Sequence, residues 1–222
     1  MRYNFFKRKW TGMAIIALLG FSTMFFSLGC SVFGIRTGYE EAGYAPVEKK
    51  GAFEIRDYEE LVVAETFVKA NYKEAGNQGF RRLFRYISGD NAAKSKIEMT
   101  APVIADERGG EKISMTTPVI GEETNADGWR YMFVLPSSYT LETAPEPTNP
   151  EVKLSVIPPH KVAVIRYAGT WKESTMRAKT EALQEWIKAS DYEAVSEPRA
   201  AGYDPPWTLP PLRRNEVMID VR

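Results

Sequence analysis

The chain has one cysteine, Cys30, and one histidine, His160, among its 222 residues. A single cysteine excludes an intrachain disulfide, so the fold has to be held by a packed core. A single histidine leaves little from which to build a zinc site, and no metal-ligand spacing or glycine-rich phosphate loop occurs. A Ser-His-Asp arrangement would need His160, and no serine stands in a nucleophile elbow. These absences argue against an enzyme. Net charge is missing too, since 29 basic residues balance 29 acidic ones. Residues 1–29 hold Arg2, Lys7, Arg8 and Lys9 and no acid, which leaves 25 basic against 29 acidic residues in the rest. A domain that is acidic overall lacks the basic footprint of a nucleic-acid binder. The expected partner is a small molecule or a protein, with no nucleic acid.

Long apolar runs are also scarce, and the one present lies at the start. Residues 13–28 are broken mainly by Gly20, Ser22 and Thr23 and follow a basic stretch, the layout of a secretory leader. Cys30 comes directly after it, and Gly29-Cys30-Ser31 resembles the processing site at which bacterial lipoproteins acquire lipid on cysteine. The alternatives are an uncleaved anchor, since residues 10–29 are long enough to span a bilayer, and plain cleavage. In each case the basic residues stay inside and the domain lies on the extracytoplasmic side of the cell envelope. The lipid or anchor would join it to the membrane. Residues 30–50, with Gly34, Gly38, Gly43 and Pro46, read as a linker, and residues 51–222 as the domain.

Within the domain a short motif occurs twice: residues 96–104 read K-I-E-M-T-A-P-V-I and residues 112–120 read K-I-S-M-T-T-P-V-I. Alternating Ile, Met, Ala or Thr, and Val suggest a strand with one buried side in each copy, joined by a polar hairpin loop. Pro102 and Pro118 donate no ladder hydrogen bond and belong at an edge, a bulge or a strand end. Further strands are expected at residues 53–58, 61–68, 129–135, 152–157, 161–167, 194–200 and 216–221. Phe80, Leu83, Phe84 and Ile87 fall at i, i+3, i+4 and i+7, one apolar stripe of a helix that Gly89 ends. A second helix is expected over residues 174–190, with Ser174 as its N-cap and Met176, Leu183, Trp186 and Ile187 on its apolar side. The order strand, helix, strand, strand thus occurs twice, over residues 61–120 and 161–221, with 53–58, 129–135 and 152–157 as supplementary strands. The fold class is α+β: a duplicated strand-helix-strand-strand module making a curved antiparallel sheet or distorted β-barrel with two packed helices.

The doubled M-T-x-P-V, with G-F-R-R-L-F-R-Y-I-S-G-D-N before it and F-V-L-P after it, closely resembles the SOUL haem-binding family. F-E-I-R-D-Y, K-V-A-V-I-R-Y-A-G and G-Y-D-P-P-W-T-L-P-P-L-R-R-N-E-V extend the likeness from about residue 44 to the end. The resemblance implies a fold shared with gyrase-inhibitor-like small-molecule-binding domains, and haem or another tetrapyrrole lying against the first helix. Phe80, Leu83, Phe84 and Ile87 would then offer a flat apolar face, with Arg82 or Arg85 meeting the propionates. From the residues alone, a stripe that is simply core with solvated arginines stays open. His160, in a Pro-Pro-His turn, reads as an exposed residue without function, with axial ligation of haem iron as the alternative. Met99 and Met115 read as core, and Trp207 as a pocket cap or a residue packed on the sheet. The expected role is a haem carrier, buffer or sensor. The rivals are a binder of other small hydrophobic compounds, an envelope protein working by protein contact, and a small hydrolase.

Overall fold

The computed structural model describes residues 40–93, 110–124, 128–205 and 207–222. Thirteen strands and two helices of the described residues follow one another as β1 (Glu40–Glu41), β2 (Tyr44–Lys50), β3 (Phe53–Tyr58), β4 (Leu61–Val68), α1 (Tyr72–Ile87), β5 (Asn91–Ala92), β6 (Thr116–Thr117), β7 (Val119–Thr124), β8 (Gly128–Val134), β9 (Glu146–Pro147), β10 (Val152–Ile157), β11 (His160–Tyr167), α2 (Glu173–Lys188), β12 (Arg199–Gly202) and β13 (Asn215–Val221). Nine of the strands form one antiparallel sheet in the order β10-β4-β8-β7-β12-β13-β11-β3-β2, curled into a half-barrel. The α+β class expected from the sequence is the one observed.

The duplication lies in this order. Around the β7–β12 junction, β4, β8 and β7 on one side match β11, β13 and β12 on the other. The first copy therefore runs through Val134, past the boundary expected at Ile120, because β8 takes the place in it that β13 takes in the second copy. The strands expected to be supplementary are exchanged. β3 precedes β4 in the chain but pairs with β11, and β10 precedes β11 but pairs with β4. Each half thus borrows its outer strand from the other. Alternation of period two says which side of a strand is buried, not which neighbour it takes, so this exchange is invisible in local pattern.

The second repeat copy is broken at its proline. Ile113 donates its backbone N–H to the Ile87 carbonyl at the end of α1, Thr116–Thr117 pair with β1, and β7 starts after Pro118. The first copy, and with it the expected hairpin and Met99, lies outside the described residues. So do residues 1–39, with Cys30. Pairing of β1 with β6 and of β2 with β3 carries the fold back to Glu40, ahead of the boundary expected at residue 51.

Both helices lie on one face of the sheet, and three clusters of buried residues result. Leu83, Tyr86 and Ile87 of α1 pack with Val62, Ala64, Tyr131 and Phe133. Leu183 and Ile187 of α2 pack with Ile55, Ala163, Ile165, Val217 and Ile219. The alternate residues of the same strands, among them Val63, Met132, Val164 and Met218, form the third cluster on the inner face. Asn71 caps α1 by accepting from the Glu74 N–H at 3.1 Å. In α2 the helix begins one residue before Ser174, with Lys172 at the cap and no side-chain cap bond, so Ser174 is not the N-cap.

Candidate ligand-binding surfaces

The sheet-facing row of α1 is Ala75, Gly79, Leu83 and Ile87, four residues apart, with Tyr86 beside it. Gly79 is there because the helix lies so close: a Cβ at that position would stand 2.5 Å from Cδ2 of Tyr131. Small residues thus carry the contact, and a search for large apolar side chains passes over them.

The four-residue stripe expected on this helix is accordingly split. Leu83 and Ile87 are core, but Phe80 and Phe84 are 40% and 46% exposed. Their rings stack on each other with centroids 5.8 Å apart and planes 12° from parallel, and Phe80 meets the edge of buried Phe133 at 5.4 Å. The pair forms a flat apolar ledge, anchored at one end and open to water. The two arginines differ in the same way. Arg82 is engaged inward: its guanidinium pairs with Glu151 at 2.8 Å and donates to the Phe67 carbonyl at 3.0 Å. Arg85 is exposed and forms no side-chain ion pair among the described residues. Of the two candidates for a ligand carboxylate, Arg85 is the one at liberty.

His160 is on the other side of the sheet. It opens β11, stacks on Tyr58 with centroids 5.8 Å apart, and its Nδ1 lies 2.8 Å from the Pro158 carbonyl. Its neighbours around the inner face are Leu61, Ile120 and Met218, whereas α1 covers the alternate residues. A ligand on the α1 ledge is therefore separated from His160 by the sheet. Met115 packs against the α1 core. Trp207, read from the sequence as a pocket cap or a residue packed on the sheet, is 59% exposed. Among the described residues no three His, Cys, Asp or Glu side chains are grouped as a metal site.

The inner face also holds a cluster that sequence patterning did not single out. Glu216 is fully buried and accepts from Arg56 Nη1 and Nη2 at 2.7 and 2.9 Å, from Arg214 Nε at 2.8 Å and from Tyr203 Oη at 2.7 Å. Burial alone would raise its carboxyl pKa, but the hydrogen bonds and charge of Arg56, with that of Arg214, hold it below the usual value. Burial pushes the Tyr203 phenol up, so it stays a donor. Every charge here has its partner, which marks a structural cluster rather than a receptor for an ion. The only local clue was the placing of Arg56 and Glu216 inside otherwise strand-like runs.

A half-barrel with two helices on one face, an aromatic ledge on the first helix and a closed ionic cluster inside makes up one α+β domain. The chain belongs to the SOUL haem-binding protein family, whose model matches residues 39–220. Heme-binding protein 1 of Xenopus laevis is 28% identical over 177 residues, spanning 77% of this chain and 84% of that one. The crystal structure of the EcmrR C-terminal domain superposes with a TM-score of 0.54 at 10% identity, covering 81% of this chain and 98% of that one. An uncharacterized conserved protein from Listeria innocua gives 0.50 at 13% identity, covering 78% and 93%. At such identities the two structures bear on the fold alone.

Proposed function

We propose that this SOUL-family chain binds haem, or another flat amphipathic tetrapyrrole, on the outer ledge of α1 and carries, buffers or senses it without turnover. The observation that carries this reading is the Phe80–Phe84 pair, two nearly parallel rings held half in water on a helix whose other face is already buried. Aromatic side chains bury roughly 150–250 Å² each, so covering the exposed part of both rings removes on the order of 170 Å² from water. At about 25 cal/mol per Å² that contributes roughly 4 kcal/mol before the cost of association. Arg85 is placed to meet a propionate through a charge-assisted hydrogen bond. The outer face of α1 offers no histidine, cysteine or methionine, so these residues bind and orient the macrocycle by contact, and the redox chemistry of a bound haem would be its own.

The same reading keeps the domain outside the cytoplasm, joined to the membrane through lipid on Cys30. The motif G-C-S after a basic and apolar leader supports it. Mass spectrometry of the chain extracted from membranes tests it: the expected N-terminus is an acylated Cys30. Retention of residues 1–29 would replace the lipid by an anchor, and a water-soluble unmodified chain would remove the tether.

Haem titration of the full chain in lipid nanodiscs, followed at the Soret band, tests the ligand. Saturable one-to-one binding in the micromolar range or tighter is expected, weakened at least tenfold by Phe84→Ala and unchanged by His160→Ala. Loss of the Soret change in His160→Ala alone would place the ligand elsewhere.

A further inference from the structure

Ten large apolar side chains are exposed among the described residues, and three of them, Trp207, Leu209 at 46% and Leu212 at 42%, fall within six positions of the loop between β12 and β13. Residues 205–212 read P-P-W-T-L-P-P-L and carry no charge, in a chain where charged residues make up 26%. Single exposed apolar residues are ordinary, but a group of them marks a surface that something covers.

The loop holds these side chains outward on a braced backbone. Thr208 is buried and donates its N–H to the Pro205 carbonyl at 3.0 Å, while its own carbonyl accepts from Arg213 Nε at 2.7 Å. Leu212 donates its N–H to the Leu209 carbonyl at 2.9 Å, closing a 3-10 turn in which positions three apart share a side. At the base, Asp204 Oδ2 accepts from the Arg214 N–H at 2.6 Å, and the Pro210 carbonyl accepts from the Gly169 N–H at 2.9 Å. Four of the eight residues are proline and have no N–H to desolvate. Taking such a segment out of water costs little in unpaired backbone, which is the main obstacle to placing a loop in lipid.

The position of the loop says which surface it meets. Arg214, at its end, pairs through Nη1 with Glu41 at 3.0 Å, and Glu41 belongs to β1, the first strand of the described residues. Residues 29–39 separate that strand from the apolar leader, at most about 40 Å of chain. A domain of this size is roughly 40 Å across, so a leader held in a bilayer draws this end of the domain toward it. We propose that Trp207, Leu209 and Leu212 enter the headgroup layer of the bilayer that holds the leader, a second contact that fixes how the domain lies on the membrane. Tryptophan favours that layer, with its ring among acyl chains and its N–H at the water. The inference rests on the membrane tether proposed above. Because residues 30–222 are acidic overall, the contact is apolar and needs no anionic lipid.

The full chain is reconstituted in phosphatidylcholine liposomes, with and without bromine on the acyl chains as a contact quencher. The emission of Trp207 is taken as the difference between the parent and Trp207→Phe, in which the other four tryptophans cancel. Flotation of the liposomes reports the tether, and quenching reports the loop. The chain should float, with the Trp207 component at least twofold weaker in brominated lipid and little affected by aqueous iodide. Leu209→Ser with Leu212→Ser should float as the parent does and lose at least half of that quenching. Flotation with Trp207 open to iodide and untouched by bromine would overturn the loop contact and leave the tether standing. Shielding from both quenchers would overturn it too, and assign the loop to a second copy of the chain or another protein. A chain that does not float would overturn the tether and the loop contact together.

Discussion

The two helices occupy equivalent places in the duplicated fold and differ in what they show to water. Leu83, Tyr86 and Ile87 of α1 have counterparts one hundred residues later in Leu183, Trp186 and Ile187 of α2; the Leu and Ile positions are buried in both helices, whereas Tyr86 is buried and Trp186 partly so. On the outer side the correspondence fails. Phe80 and Phe84 face Thr180 and Gln184 in this alignment, and Arg81 and Arg85 face Glu181 and Glu185. The sheet needs only the shared positions. The exposed ring of Phe84 and the guanidinium of Arg85 are therefore not matched in α2, which serves as the built-in control. The inner faces differ as well: the half carrying α2 buries Glu216 between Arg56 and Arg214, whereas Arg130 and its partner Glu122 in the other half are partly exposed.

The largest difference to be expected is between those two ion pairs. Glu216→Ala leaves two buried guanidiniums without their shared carboxylate and should cost about 3–5 kcal/mol in denaturant unfolding at neutral pH. Glu122→Ala, at a partly exposed pair, should cost about 1 kcal/mol or less. The pH dependence follows the depressed pKa of Glu216. Its stabilisation is fully present above the unfolded carboxyl value of about 4.3 and is lost as pH falls through the lower folded value. The stability gap between the parent chain and Glu216→Gln should hold down to that range and close below it; a gap independent of pH would show that the carboxylate charge is not what stabilises the cluster.

Next in size is the approach of each helix to the sheet. Gly79→Ala drives a methyl group into the buried ring of Tyr131 and should cost about 1–3 kcal/mol. At the corresponding place in α2 stands Lys179, where replacement by Ala should change stability by about 0.5 kcal/mol or less. Equal effects would mean that the helices sit alike and that the comparison rests on side chains only.

How much of this was legible in the sequence divides along the same physical lines. Strands such as β4 and β10 are visible because β-branched residues alternate, and the α2 face because Leu183 and Ile187 are both large and apolar. Family membership was legible in short blocks, the doubled M-T-x-P-V first among them. The exchange of β3 and β10 was not, since pairing over a hundred residues leaves no local trace. Nor was the true face of α1: Gly79 and Ala75 pack because they are small, and the hydrophobic pattern chose Phe80 and Phe84 instead. The ionic cluster joins segments far apart in sequence, Arg56 of β3 and Glu216 of β13, and it is the strand order β13-β11-β3 that sets them near each other.

A swap of surface character between the helices then asks whether α1's outer face is the binding face. Phe80→Thr with Phe84→Gln gives α1 the residues of α2, and haem affinity should fall at least tenfold, about 1.4 kcal/mol, with stability lowered by about 1–2 kcal/mol as Phe80 gives up its contact with Phe133. The reverse variant, Thr180→Phe with Gln184→Phe and Glu185→Arg, should give α2 a measurable second site in the Soret titration. If the first swap left haem affinity intact, the exposed rings would be incidental.

The smallest effect separates the two arginines. Arg85→Ala removes the guanidinium open to a propionate and should weaken haem binding by a few-fold, more at low salt than at high, because exposed charges are screened. Arg82→Ala instead releases the contacts to Glu151 and the Phe67 carbonyl that tie α1 to β4 and the start of β10, and should cost about 1 kcal/mol of stability while leaving affinity within twofold. The reverse assignment, with Arg82 setting affinity and Arg85 setting stability, would mean that bound haem displaces Glu151 from Arg82 and that the ledge extends over the helix toward the sheet edge.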